Sequence, residues 1–156
     1  MKIVAALGIS LLLLVGLVTP VLAFEMSLPK YINKLHGVEQ GVVAVNTKLI
    51  RTLGSEIDTS NLPWLNAQVR ILGTTTSKLD RLYDRVDALG PPPDDDRARN
   101  ALTNVRKASQ RIVDTVKAIT PPDDSRVAKA LSEVRLAAEE IVDLANHYLA
   151  PTTIGQ

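Results

Sequence analysis

The 156-residue sequence has no cysteine. That excludes a disulfide framework, a thiolate zinc site, an iron–sulfur cluster and a cysteine nucleophile. Aromatic residues are scarce as well: Phe24, Tyr31, Trp64, Tyr83 and Tyr148 are the whole set. So few rings give no stacking platform for bases, sugars or flavins. Neither charge predominates, with 18 Lys and Arg against 17 Asp and Glu. That near-zero net charge argues against a nucleic-acid binder, which normally shows a basic stripe.

Motifs of catalysis are missing too. Gly37 and Gly41 fall inside a helical pattern, not in a strand–loop–helix context that would cradle phosphate. There is no G-x-S-x-G elbow, so a Ser–His–Asp set would have to be assembled from helix-surface residues. Paired carboxylates such as Glu139 and Glu140 are chain neighbours and point to different helix faces. No catalytic residue and no cofactor site is assigned, and a non-enzymatic protein is expected.

What is present begins with an apolar leader. Lys2 precedes an uncharged run from Ile3 to Phe24, broken only at Pro20, and Val21 and Ala23 suit the minus-three and minus-one positions of signal cleavage. Residues 1–23 therefore read as a signal peptide. The alternative is an uncleaved anchor, because about 20 apolar residues can cross a bilayer. Either reading sends the rest of the chain out of the cytoplasm, to a secreted or periplasmic location or one tethered to the membrane. Loss of Lys2 would leave 17 basic and 17 acidic residues, hence no net field to steer a charged partner.

The remainder reads as one helical domain over 24–150 with a flexible tail at 151–156. Apolar residues recur in steps of three and four throughout. One such series is Leu35, Val38, Val42, Val45, Leu49 and Thr52, and another is Leu72, Thr75, Leu79, Leu82, Val86 and Leu89. Leu102 to Ile119 and Leu131 to Tyr148 repeat the steps, predicting helices over 30–57, 63–89, 95–119 and 124–149. Asn61-Leu62-Pro63 marks one helix start, and Gly90 with three prolines marks a stop. Gly37, Gly41 and Gly73 weaken their helices, and a kink or late start near Gly73 is expected.

Residues 92–120 align without a gap to 121–149, with 13 of 29 positions identical, where chance gives about two. Helices 3 and 4 thus form a 29-residue internal repeat. Asp94-Asp95-Asp96 and Asp123-Asp124 open its two copies and read as helix caps, since the spaced calcium loop of an EF-hand is absent. Short connections predict an all-α, up-down-up-down four-helix bundle. A three-helix bundle with a loose first helix is the alternative.

Candidate contact residues follow. His36 with Glu39, and His147 with Asp143, each pair an imidazole and a carboxylate on one helix face. An up-down bundle would bring both pairs to one end, as a metal or haem site. The Glu-x-x-His motif of di-iron bundles and the Cys-x-x-Cys-His haem attachment are both absent. Arg97, Arg99, Arg106, Lys107 and Arg111 make the third helix the most basic, read as a solvated face or a contact for anionic head groups. Val43, Ile50, Leu53 and Ile57 are apolar residues outside the first seam, and Trp64 is either a plug at the bundle end or an exposed anchor. Together these predict an interaction or adaptor module at the cell envelope, with a protein or an envelope surface as partner and homodimers compatible with the pattern. The alternative is a carrier of a small apolar ligand among Val105, Val116, Ala138 and Ala145.

Overall fold

A computed structural model of the chain describes residues 26–53, 61–120 and 123–151. Four helices account for its regular structure: α1 (Leu28–Leu53), α2 (Leu62–Asp87), α3 (Asp96–Ala118) and α4 (Ser125–Leu149). No strand occurs among the described residues. The leader at 1–23, Ile57, Pro121, Pro122 and all but the first residue of the tail lie outside them.

Each start has a chemical cause. The Asn61 side chain accepts from the Trp64 N–H at 3.3 Å, with Pro63 in the first turn where no N–H is needed. Asp95 accepts from the Arg97 N–H at 2.8 Å, and Asp124 does the same for Arg126 at 2.8 Å. Each aspartate also takes the side chain of that arginine, at 3.0 and 2.9 Å. These hydrogen bonds hold both carboxyls below the usual carboxylate range, despite their partial desolvation. At the far end of α2, Gly90 adopts φ +68°, the left-handed stop that a side chain would oppose.

Direction alternates along the chain. Tyr31 at the start of α1 donates to the Gly90 carbonyl at 2.9 Å, just past the end of α2. Arg99 near the start of α3 donates to the Leu149 carbonyl at 2.9 Å, at the end of α4. The packing, however, does not follow chain order. α1 packs on α2 and α3, and α4 packs on α2 and α3, so α2 and α3 lie on a diagonal, as do α1 and α4. The neighbours α2 and α4 run parallel: Arg126 reaches Asn66 near both starts, and Tyr148 reaches Asp87 near both ends, at 3.1 and 2.9 Å.

The connection explains this departure from a simple antiparallel ring. Eight residues, 88–95, join α2 to α3, and three are consecutive prolines. An extended proline segment advances about 3.1 Å per residue. Helix neighbours sit about 8–10 Å apart, so this link is long enough to cross the diagonal. α1 contacts two helices and contributes seven core residues, which settles against a loose first helix.

The core is the predicted seams, closely. Leu35, Val38, Val42 and Leu49 of α1 are fully buried, and Leu72, Leu79, Leu102, Ile112, Val134 and Ile141 meet them. The seams loosen at their ends, where Leu89, Ile119 and Tyr148 are only partly buried, and one position changes at the end of α1. Leu53 is 2% exposed and takes the last seam position, which the three-four count had given to Thr52. Leu53 is therefore a core residue and not a contact residue.

The glycines separate by function. An added Cβ on Gly41 would stand 2.9 Å from a Leu82 methyl, so Gly41 lets α2 approach α1. One on Gly37 would stand 3.2 Å from the Arg85 guanidinium, while Gly73 faces open space. α2 nonetheless runs unbroken through Gly73. The hydroxyls of Thr74, Thr75, Thr76 and Ser77 return to carbonyls four residues back, at 2.9, 2.8, 3.3 and 3.1 Å. Side chains that could have competed with the helix thus bond back onto it.

Candidate functional site: a basic groove between α1 and α2

Outside the core, the two hairpins differ. α3 and α4 bury a broad face, including Ala98, Ala101, Ala108, Ala130, Ala137 and Ala138. α1 and α2 share the least extensive of the four contacts and leave an open groove of about 510 Å³ along their outer side. Its floor is Gly41, Ala44, Val45, Thr75 and Leu82, small or apolar throughout. Its rim is Lys48 from α1 with Lys78, Arg81 and Arg85 from α2. The same row continues to Arg70 at one end and to Lys34 at the other.

These cations follow from helix geometry. Positions 78, 81 and 85 advance by three and four, which places them on one side of α2, toward α1. Opposite them α1 presents Gly37, Gly41, Ala44 and Lys48, again in steps of four, three and four. Small residues there keep the floor low, and the basic side chains stand above it. Among the described residues, none of the four rim cations has a carboxylate within ion-pair distance. A like-charged row held over an apolar floor favours an anionic, partly apolar occupant.

Three of the four arginines of α3 are engaged elsewhere. Arg97 pairs with Asp95 at 3.0 Å, Arg99 bonds the Leu149 carbonyl, and Arg106 bonds Asn146 at 3.1 Å. Lys117 of α3 approaches Glu139 of α4 at 3.8 Å and links the two helices, and Arg135 holds the same carboxylate within α4 at 3.0 Å. The element richest in arginine therefore spends much of that charge on the bundle itself. Three of the four groove cations lie on α2, a helix whose summed charge is modest.

The histidines do not meet. His36 Nδ1 and Glu39 are 3.3 Å apart in an exposed pair on α1, whereas Asp143 and His147 are exposed on α4. α1 and α4 are diagonal, and outward-facing side chains on opposite corners point away from each other. Among the described residues no three His, Asp or Glu side chains group as metal ligands. At that end of the bundle, Tyr31 and Tyr148 fasten the close of α2 through Gly90 and Asp87. Burial, with a contribution from Tyr148, pushes the Tyr31 phenol up to about 12.

Of the apolar contact candidates, Val43 and Ile50 are exposed at 44% and 51%. Trp64 is exposed at 39% beside Leu62 at 62%, while Leu65 is buried, so Trp64 is not a sealed plug. The small residues proposed as ligand space, Val105, Val116, Ala138 and Ala145, are packed within the core. No family model, no curated protein and no solved structure matches the chain.

The groove was legible only in part. A count of three and four locates Lys78, Arg81 and Arg85 on one helix side, but their relation to Lys48 needs the α1–α2 packing. The signal that would have linked them is the small series Gly37, Gly41, Ala44, which marks where another helix approaches.

Proposed function

We propose that the chain is an exported, non-enzymatic helical bundle that serves as an interaction module at the cell envelope. Its α1–α2 groove is the docking face for an anionic, partly apolar partner. The observation carrying this reading is the row of Lys48, Lys78, Arg81 and Arg85 above the Gly41–Ala44 floor, without a carboxylate partner among the described residues. Export rests on the leader pattern of residues 1–23. No described helix is long and apolar enough to cross a membrane, so an anchor, if retained, would be the leader itself.

In the same reading α3 and α4 are copies of one ancestral helical unit. Supporting it, burial recurs at the offset of 29: Ala98 and Val127, Ala101 and Ala130, Leu102 and Leu131, Val105 and Val134, Ile112 and Ile141. Asp95 and Asp124, with their arginines two residues on, cap the two helices in one geometry.

Two measurements test the proposal. Intact mass of the product of the full chain, recovered from fractionated cells, should show an extracytoplasmic species starting at Phe24 or retaining Met1. A cytoplasmic full-length product overturns export. A model helical peptide with Glu at steps of three and four around a Leu should bind the protein, and R81E/R85E should weaken it by at least about tenfold. Equal binding by both proteins, or none by either, overturns the groove.

The groove volume of about 510 Å³ favours one second reading, a carrier of a small anionic amphiphile. It replaces the interior of the bundle, which is packed, with the outer cleft. Extractable lipid copurifying with the wild type and lost in R81E/R85E would select it.

A further inference from the structure

The face opposite in character to the groove is on this same chain. Along the outside of α4, Glu133, Leu136, Glu140 and Asp143 advance by three, four and three, and all are exposed. Leu136 is 49% exposed, the one large apolar side chain of α4 left in that state. Glu133 has a loose 3.8 Å partner in Lys129. Among the described residues, Glu140 and Asp143 have no basic group within ion-pair distance. The stripe is thus an apolar knob with carboxylates on both sides.

We infer that the groove's occupant is the outer face of α4 from a second copy of this chain. Leu136 seats on the Gly41–Ala44 floor, and Glu133, Glu140 and Asp143 lie against Lys48, Lys78, Arg81 and Arg85. This rests on the groove reading above and names its partner. The spacing supports it. Lys78 to Arg85 spans about 10 Å along α2 and Glu133 to Asp143 about 15 Å along α4, at 1.5 Å per residue, so the acidic stripe covers the basic one. A row of cations along a cleft also suits several carboxylates in series better than the single head group of an amphiphile. Near balance of positive and negative charge over the whole chain then reflects two faces of opposite sign.

The ring order fixes the symmetry of the contact. α4 stands diagonal to α1, so its outer face points away from the α1–α2 groove of its own bundle. The two patches differ and lie on different sides, so the contact is head-to-tail and leaves a free groove and a free α4 at the two ends. Such a contact closes into a ring or extends as a filament according to its rotation, and assembly grows with concentration and weakens with salt.

Charge reversal on each face tests this, read by sedimentation velocity on the protein as recovered from the full chain. Wild type should form species larger than a dimer as concentration rises. R81E/R85E and E140K/D143K should each remain at the size of their own lowest-concentration species. Mixed in equal amounts, the two variants should associate again, since the intact groove of one meets the intact α4 of the other. All four sites are exposed, and circular dichroism checks that each variant folds; Leu136→Ser, without a charge change, should weaken wild-type association by at least about tenfold. Wild type of constant size at millimolar concentration overturns the inference, as does assembly that the variants leave untouched or a mixture that forms no complex. If the model acidic peptide still binds, the groove proposal survives that failure; if it does not, both fall.

Discussion

The α3–α4 hairpin and the α1–α2 hairpin are built from the same three-four spacing to different ends. α3 buries nine residues and α4 eight, many of them alanine, so each sinks a broad face into the bundle. Their surface charges are drawn into the structure through Asp95–Arg97, Asp124–Arg126 and the Glu139 pairs. α1 and α2 bury a single seam of seven each, meet less extensively, and leave cations standing above a small-residue floor. The first hairpin uses part of its charge in its own contacts and leaves an acidic stripe on the outside of α4. The second leaves a row of cations beside a small-residue floor, and such rows are what a docking face requires.

The sharpest way to break this contrast compares two isoleucines. Ile141→Ala in the buried face of α4 should cost about 2–5 kcal/mol in urea unfolding, whereas Ile50→Ala on α1 should change stability by about 0.5 kcal/mol or less. A large loss from Ile50 would mean that the α1 flank is covered within the molecule, and the contrast would fail.

Two glycines of the α1–α2 hairpin give the next largest effect, with opposite signs. Gly41→Val forces its side chain against Leu82 and should destabilise by about 1–3 kcal/mol. Gly73→Ala meets open space and should stabilise by up to about 1 kcal/mol, by helix propensity alone. Thermal midpoints of the two variants on opposite sides of wild type would confirm that only one of these glycines is there for packing.

Tyr31→Phe, which removes the bond from α1 to the Gly90 carbonyl, should cost about 0.5–1.5 kcal/mol. Its pH dependence follows from the raised phenol. The contribution is present below the ordinary tyrosine value near 10 and is lost as pH rises through about 12. Wild type and Tyr31→Phe should therefore differ in stability at neutral pH and converge in strong alkali, while ultraviolet titration shows one phenol ionising late.

The smallest effect is a matched pair. Asp95→Ala and Asp124→Ala should each lower the thermal midpoint slightly and by similar amounts, because both carboxylates accept from the N–H and side chain of the arginine two residues on, Asp124 adding a longer bond from the Val127 N–H. Both carboxyls are held below their ordinary value, so that stabilisation is present at neutral pH and fades as pH falls through the folded value. Unequal losses at neutral pH would show that the two helix starts are not equivalent.

Much of this molecule is local and was therefore open to counting along the chain. Four helices, their starts at Asn61, Asp95 and Asp124, the stop at Gly90 and nearly every core position follow from periodicity and capping chemistry. Those interactions span four residues or fewer, and the side chains that make them are neighbours in sequence. A kink or late start is expected near Gly73 for the same local reason, yet α2 runs on and the hydroxyls of Thr74 to Ser77 bond back onto it.

Helix order around the core was decided elsewhere. The antiparallel preference of short connections does not apply to a proline-rich link of eight residues, which can reach the diagonal corner as readily as the adjacent one. From that single choice come the separation of His36 from His147 and the opposite aspects of the groove and α4. The place of Leu53 in the core likewise depends on where α1 meets its neighbours. Periodicity tells which side of a helix is buried, but only the assembled bundle decides which helix lies beyond it.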